Sequence, residues 1–276
     1  MAIEVKPLSD ALGAEIAGVD LGRDLDGETF STIVDAWREH LVLLFRGQRL
    51  STEAQIAFAS RFGELQEVRT TPGVSHANPF VMMVSNVEGE DWKGVLPDGE
   101  MQLHSDQCYY EVPAKLTMLH ALEVPPAGGD TLFVNCYRAY EALPGGIKTD
   151  IAGVYALNVY DYDANATIRE NEISPDAPRF AHPVVTTHPE TGRKVLYVNR
   201  LMTDHIVGLE RQESRALLDT LIETVERSDF IYRHVWRIGD VVMWDNRCTL
   251  HGRTGFDPSH RRTLRRVTVK GERPSR

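Results

Sequence analysis

Apolar residues in the stretch DGETFSTIVDAWREHLVLLFRGQ fall first at helical spacing and then without interruption. Phe30, Ile33, Val34, Trp37 and Leu41 share one helical face, after which a β-prone run leads to Gly47. The pattern predicts a helix that feeds a buried strand. STEAQIAFASRFGEL predicts a second helix, with Ser51 or Thr52 as its N-cap, Gln55 as a capping-box partner three residues after Thr52, and Gly63 as its end. HPVVTTHPETGRKVLYVN reads as a hairpin of two β-rich runs around a Pro/Gly turn. In ERQESRALLDTLIETVERSDF, Leu217, Leu218, Leu221 and Val225 mark one face of a helix whose Glu and Arg residues form a solvated face. RHVWRIGDVVMWDN and RRTLRRVTVK read as two strand-like runs.

Helices near the ends with many strands between them point to an α+β, mainly β fold built around a β-barrel or jelly roll. Its length of 276 residues suits a single domain, 1–276. Two polar, irregular stretches, 69–100 and 160–180, read as loops around a site or as plain surface connections; the first encloses the short apolar run FVMMVSNV.

Composition narrows the class. Hydrophobic residues at 42% and charged residues at 25% are those of a globular chain, and a formal net charge of −10 argues against nucleic acid or an acidic membrane as partner. The basic C-terminal stretch SHRRTLRRVTVKGERPSR opposes that average, so a small anionic ligand stays open. Neither a signal-peptide pattern nor an apolar run of membrane-spanning length is visible, and a cytoplasmic location is expected. Cys108, Cys136 and Cys248 are odd in number and far apart, which predicts reduced thiols rather than a disulfide framework.

Candidate chemistry begins at MQLHSDQCYY. On a strand, residues two apart face the same way, so His104 and Asp106 could offer an imidazole nitrogen and a carboxylate oxygen to one ion. With ten histidines and 40 acidic residues in the chain, the triplet alone proves nothing. A third ligand is required, and His251 in WDNRCTLHGRTGF is the best candidate because it leaves a strand into a Gly-containing turn. His120, His182, His188 and His234 compete on the same grounds. If RRTLRRV is a strand, Arg262, Leu264 and Arg266 share one face, with the two guanidiniums about 13 Å apart. They could grip two different anions on either side of a central metal, or form a basic edge strand.

Taken in order, HSD at 104–106, GGDTLF at 128–133, LYVN at 196–199, WDNRCTLH at 244–251 and RRTLRR at 261–266 resemble the iron(II)- and 2-oxoglutarate-dependent dioxygenases of the taurine and 2,4-dichlorophenoxyacetate dioxygenase family. The resemblance extends from the amino-terminal GAEIAGVDL to the last strand. It implies a double-stranded β-helix, or jelly roll, with flanking helices. It also implies a facial triad of His104, Asp106 and His251 on Fe(II), with 2-oxoglutarate and O2 as cosubstrates. By motif position Arg262 would pair with the distal carboxylate of 2-oxoglutarate and Thr131 would donate a hydrogen bond to it, while Gly128 and Gly129 serve the turn. Arg266 stands where relatives bind the acidic group of the primary substrate, and His76 and Glu100 stand near substrate-contacting positions.

The chain departs from the family at Leu103, where Trp is frequent, and at Glu100, where the taurine enzyme has Asn. An anionic Glu100 would disfavour a sulfonate unless it met an amine. The implied activity is hydroxylation of a small organic acid, an aryloxyalkanoate, a sulfonate or similar, by an enzyme expected to be a homo-oligomer. A metal-dependent hydrolase and a non-catalytic jelly-roll small-ligand binding protein are the alternatives: the first would consume neither O2 nor 2-oxoglutarate, and the second would bind ligand without iron.

Overall fold

In the computed structural model, which describes residues 3–68, 78–95, 99–160 and 173–276, the first apolar run does become a helix followed by a strand. Helix α1 (Gly27–His40) is capped by Asp26, whose side chain accepts the Thr29 N–H. Its chain passes through Leu41, at a φ of 67°, into strand β3 (Val42–Phe45). Ser51, not Thr52, caps α2 (Thr52–Ser60), which ends three residues before Gly63. Gln55 makes no capping box. It is fully buried against the last strand, where its amide donates to the Arg265 carbonyl and accepts from Arg265 Nε, because a buried amide must find partners where it lies.

Among the described residues the fold is mainly β. The largest sheet runs β1 (Glu4–Pro7), β2 (Ala14–Ala17), β3, β14 (Val241–Asp245), β6 (Ala114–Glu123), β16 (Thr263–Lys270) and β4 (Val81–Ser85). A four-stranded sheet runs β13 (Ile231–His234), β7 (Thr131–Asn135), β15 (Thr249–Arg253) and β5 (Met101–His104). Strands β12 (Thr203–Ile206), β8 (Tyr155–Val159) and β9 (Arg179–Pro183) form a third sheet, and β10 (Val185–Thr187) and β11 (Lys194–Leu196) form the expected hairpin.

Period-two alternation explains why β3 and β14 read as unbroken apolar runs. Val42, Leu44, Val242 and Trp244 enter a core shared with Phe133, Val134 and Leu250 of the four-stranded sheet. Leu43, Phe45, Val241 and Met243 enter a second core under Ile33 and Trp37 of α1 and Phe58 of α2. The large sheet is thus buried on both faces, and the four-stranded sheet lies over one of them.

Helices are not confined to the ends. Short α3 (Cys136–Ala142) and α4 (Gly145–Asp150) interrupt the middle, and α5 (Arg211–Val225) turns Leu218, Leu221 and Val225 inward as its pattern predicts. RHVWRIGDVVMWDN is two strands rather than one. At 237–240 the Asp240 N–H returns to the Arg237 carbonyl while the Asp240 carboxylate accepts the Arg237 N–H, so β13 and β14 join different sheets. All three cysteines are buried free thiols. No helix among the described residues is long and apolar enough to cross a membrane.

Candidate active site

The four-stranded sheet supplies two imidazoles. Strands β5 and β15 are antiparallel and pair His104 directly with His251, placing the ring centroids 4.2 Å apart. His251 therefore sits inside a strand, not at its exit into a turn. Asp106 arrives differently from the expected strand alternation, because β5 ends at His104 and a turn follows, with Gln107 at a φ of 63°. The Ser105 hydroxyl fastens this turn by donating to the Asn246 carbonyl. Asp106 Oδ1 then lies 4.0 Å from His104 Nε2 and 3.8 Å from His251 Nε2.

Protonation follows from these contacts. His104 Nδ1 meets the Gln102 carbonyl at 2.9 Å; a carbonyl only accepts, so Nδ1 carries the hydrogen and Nε2 turns its lone pair to the site. Burial lowers the His104 pKa, and burial, followed by the neighbouring His104, takes His251 down to about 3, so both rings are neutral near pH 7. Burial alone would raise the Asp106 pKa. The Arg266 guanidinium, the two imidazoles and the Thr117 hydroxyl outweigh it and hold the carboxylate well below its ordinary range. Two neutral nitrogens and one anionic oxygen, all within 4.8 Å of one another, are a donor set suited to a divalent transition metal.

Strand β16 and the residue just before it supply cations across a cavity lined by both histidines, Thr131, Arg262 and Arg266. Arg262, Leu264 and Arg266 all line it, but only Leu264 and Arg266 share a face of β16; Arg262 lies just before the strand, beyond a register shift at Thr263, and Arg265 faces the other way to α2 and His120. Arg262 is 3% exposed, and its Nε and Nη2 both donate to the Gly129 carbonyl. Gly129, at a φ of 67°, leaves room for this: a Cβ there would lie 2.9 Å from Arg262 Nε. Among the described residues no carboxylate reaches Arg262 within ion-pair distance. Burial, and next the Arg253 guanidinium, press its pKa down to about 9 against the weaker opposing pull of Asp130. Thr131 stands ready to donate, since its oxygen already accepts the Trp236 indole N–H at 3.0 Å.

Arg266 is not a free clamp. Its Nη2 lies 2.9 Å from Asp106 Oδ2 and its Nε donates to Thr268, which leaves Nη1 without a partner among the described residues. Glu100 is exposed and does not line the cavity. His76 lies outside the described residues, as do parts of the 69–100 and 160–180 stretches. The competing histidines turn elsewhere: His120 to the Gln48 carbonyl and Arg265, His182 to the Tyr110 carbonyl, His188 to Asp245 and His234 to Tyr232.

Sequence reasoning missed two groups. Arg253, two residues past His251, is a third arginine on the cavity wall and donates twice to the Gly99 carbonyl; its place in HGR was the available signal. Thr117, in the middle of β6, donates to Asp106 Oδ2 at 2.6 Å, and nothing in its local sequence marks it.

The chain resembles known proteins over most of its length. Residues 4–268 match the family described as taurine catabolism dioxygenase TauD, TfdA family. The chain is 36% identical over 283 residues to an alpha-ketoglutarate-dependent 2,4-dichlorophenoxyacetate dioxygenase of Cupriavidus pinatubonensis, covering 98% of each chain. It is 34% identical over 280 residues to an (S)-phenoxypropionate/alpha-ketoglutarate-dioxygenase of Sphingobium herbicidovorans, covering 98% of this chain and 96% of the relative. The crystal structure of a taurine dioxygenase from Burkholderia xenovorans superposes with a TM-score of 0.85 at 34% identity, over 99% of this chain and 91% of that one.

Proposed function

The chain belongs to the taurine catabolism dioxygenase TauD, TfdA family, and from that premise we propose an iron(II)- and 2-oxoglutarate-dependent dioxygenase that hydroxylates a small organic acid. An aryloxyalkanoate or similar carboxylic acid is the favoured substrate class; where the hydroxylated carbon bears oxygen or sulfur, the product can collapse and cleave that bond. The observation that carries this reading is the pairing of a His104–Asp106–His251 donor set with a buried Arg262 that has no ion-pair partner among the described residues, on the same cavity. The two sheets that face one another across the site support a double-stranded β-helix as the finer description of the fold.

Iron(II), when bound, supplies oxygen activation coupled to decarboxylation of 2-oxoglutarate to succinate and carbon dioxide. The residues of the chain bind and orient. His104, Asp106 and His251 offer three donors from one side of the cavity. Arg262 takes the distal carboxylate of 2-oxoglutarate through its planar fork, and Thr131 adds a hydroxyl hydrogen bond. Arg266 presents Nη1 to the substrate anion while Nη2 stays on Asp106. Val84, Leu119 and Leu264 line the cavity as an apolar wall against the body of the acid.

The test is an anaerobic titration of the protein with iron(II) and 2-oxoglutarate, followed by air and a panel of aryloxyalkanoic and sulfonic acids. A metal-to-2-oxoglutarate absorption band and substrate-stimulated succinate release are expected. Product formation without consumption of O2 and 2-oxoglutarate would identify a hydrolase instead.

A further inference from the structure

The two oxygens of Asp106 have different neighbours. Oδ1 faces both histidine Nε2 atoms, at 4.0 and 3.8 Å. Oδ2 is turned away from them and held by Thr117 Oγ1 at 2.6 Å and Arg266 Nη2 at 2.9 Å. We propose that a directed hydrogen-bond relay, Trp244 to Asn246 to Thr117, keeps Oδ2 occupied so that Asp106 serves the metal through Oδ1 alone. Thr117 and Asn246 are positioning residues, and the inference rests on the metal-ligand assignment made above.

Direction in the relay is set by chemistry at its far end. The indole of Trp244 can only donate, and it lies 2.9 Å from the Asn246 side chain, so the atom it meets is Oδ1. The Asn246 amide group must then present Nδ2 to Thr117 Oγ1, also at 2.9 Å. A hydroxyl that accepts there has its own hydrogen free, and its nearby acceptor is Asp106 Oδ2. Each link has a single polarity because the first one does. Asn246 itself is anchored at both backbone ends, its N–H donating to the Lys115 carbonyl and its carbonyl accepting from Ser105. The same Ser105 fastens the turn that carries Asp106, so the relay and its target share one frame. All four side chains that make up the chain from indole to carboxylate are buried, where an unfilled polar position is costly.

This gives the WDN segment a task. Its Trp and Asn do not reach the metal donors directly by hydrogen bonds; they fix the rotation of the one anionic donor. Without the relay, Arg266 Nη2 alone would hold Oδ2, and a loosened Asp106 would be able to turn both oxygens to the ion, taking a position that 2-oxoglutarate or O2 needs.

The experiment compares the wild-type protein with Thr117→Val, which keeps the shape and deletes the donor, and Thr117→Ser, which restores it. Mn(II) affinity is measured by calorimetry without cosubstrate, and the carboxylate stretch by metal-minus-apo infrared difference. Thr117→Val should weaken Mn(II) binding about 10- to 100-fold and move the carboxylate band towards two-oxygen coordination, while Thr117→Ser stays within about threefold of wild type. If Thr117→Val fails to fold, Trp244→Phe decides, with a loss of affinity of about threefold or more expected from the released amide. Unchanged affinity and an unchanged carboxylate band in the folded donor-deleting variant, or no rescue by Ser, overturn the relay. Failure of the wild-type protein itself to bind Mn(II) overturns the metal assignment and the relay with it.

Discussion

Two buried clusters in this protein contain similar ingredients: His104, Asp106 and His251, and His188, Asp245 and Cys248. In both, the possible ligand atoms lie within 4.8 Å of one another. The difference lies in which lone pairs are already taken. His188 Nδ1 accepts the backbone N–H groups of Glu190 and Thr191, so its hydrogen sits on Nε2 and donates to Asp245 Oδ2. Arg247 covers the rest of Asp245, with its backbone N–H and Nε on Oδ1 and Nη2 on Oδ2. Burial raises the Cys248 pKa far above the ordinary thiol value, so the sulfur keeps its proton. In the first cluster the His104 hydrogen is drawn outward by a carbonyl, and Asp106 leaves Oδ1 open. Composition and proximity are therefore weak evidence for a metal centre; the accounting of donors and acceptors separates a ligand set from a structural clasp.

Four perturbations sharpen this contrast. The largest effect belongs to Asp106→Ala, which should abolish measurable metal binding and turnover while the folded far-UV signal remains. Wild-type protein should bind one equivalent of Mn(II), and a second tight equivalent would break the comparison by giving the Asp245 cluster a metal. Next, Arg247→Met should leave metal stoichiometry unchanged but destabilise the fold by about 3–5 kcal/mol, because it strands a buried carboxylate. This cost depends on pH in a definite direction. Burial would raise the Asp245 and Glu190 pKa values, but Arg247 and its neighbours lower both, Glu190 to about 2. Depressed carboxylates contribute stability that is fully present above their unfolded values, near about 4, and is lost as pH falls through the folded ones. The gap between wild type and variant in urea melts should therefore be full at neutral pH and shrink below about pH 4.

Third, Arg262→Ala should weaken 2-oxoglutarate binding by about 2–5 kcal/mol, with Thr131→Val costing about 1 kcal/mol, read from the cosubstrate titration of each variant. Equal effects would show that the fork of Arg262 is not the main grip. The smallest change in cosubstrate affinity belongs to Arg266→Ala, which should instead lower the ratio of hydroxylated product to succinate. A neutral ester turned over as well as the free acid would remove the substrate-clamp role from Arg266.

The sequence carried much of this. Helix α1 and β3 follow from spacing, the H-x-D pair and His251 do meet, and Arg262 and Arg266 do line one cavity, although Arg262 lies just before the strand. The failures have physical causes. Asp106 reaches the site through a turn with a positive φ at Gln107, which leaves no strand-like signature. Gln55 was read by its distance from Thr52, yet its partner is Arg265, 210 positions away. Thr117 and Asn246 meet only through the register of β6 beside β14, so neither stands out locally. Arg266 reads as a free cation until the carboxylate beside it is placed.

The cross-strand pairing of His104 with His251 has one more consequence. Two imidazoles on facing positions of one ladder would offer a metal two nitrogens whose separation is set by the spacing of hydrogen-bonded strands, a length common to all β-sheets. Lengthening, shortening or exchanging the surrounding loops reshapes the cavity without altering that separation. A scaffold of this kind separates what must stay constant for the metal from what may vary for the substrate, and loop grafting between members should transfer selectivity before it disturbs metal affinity.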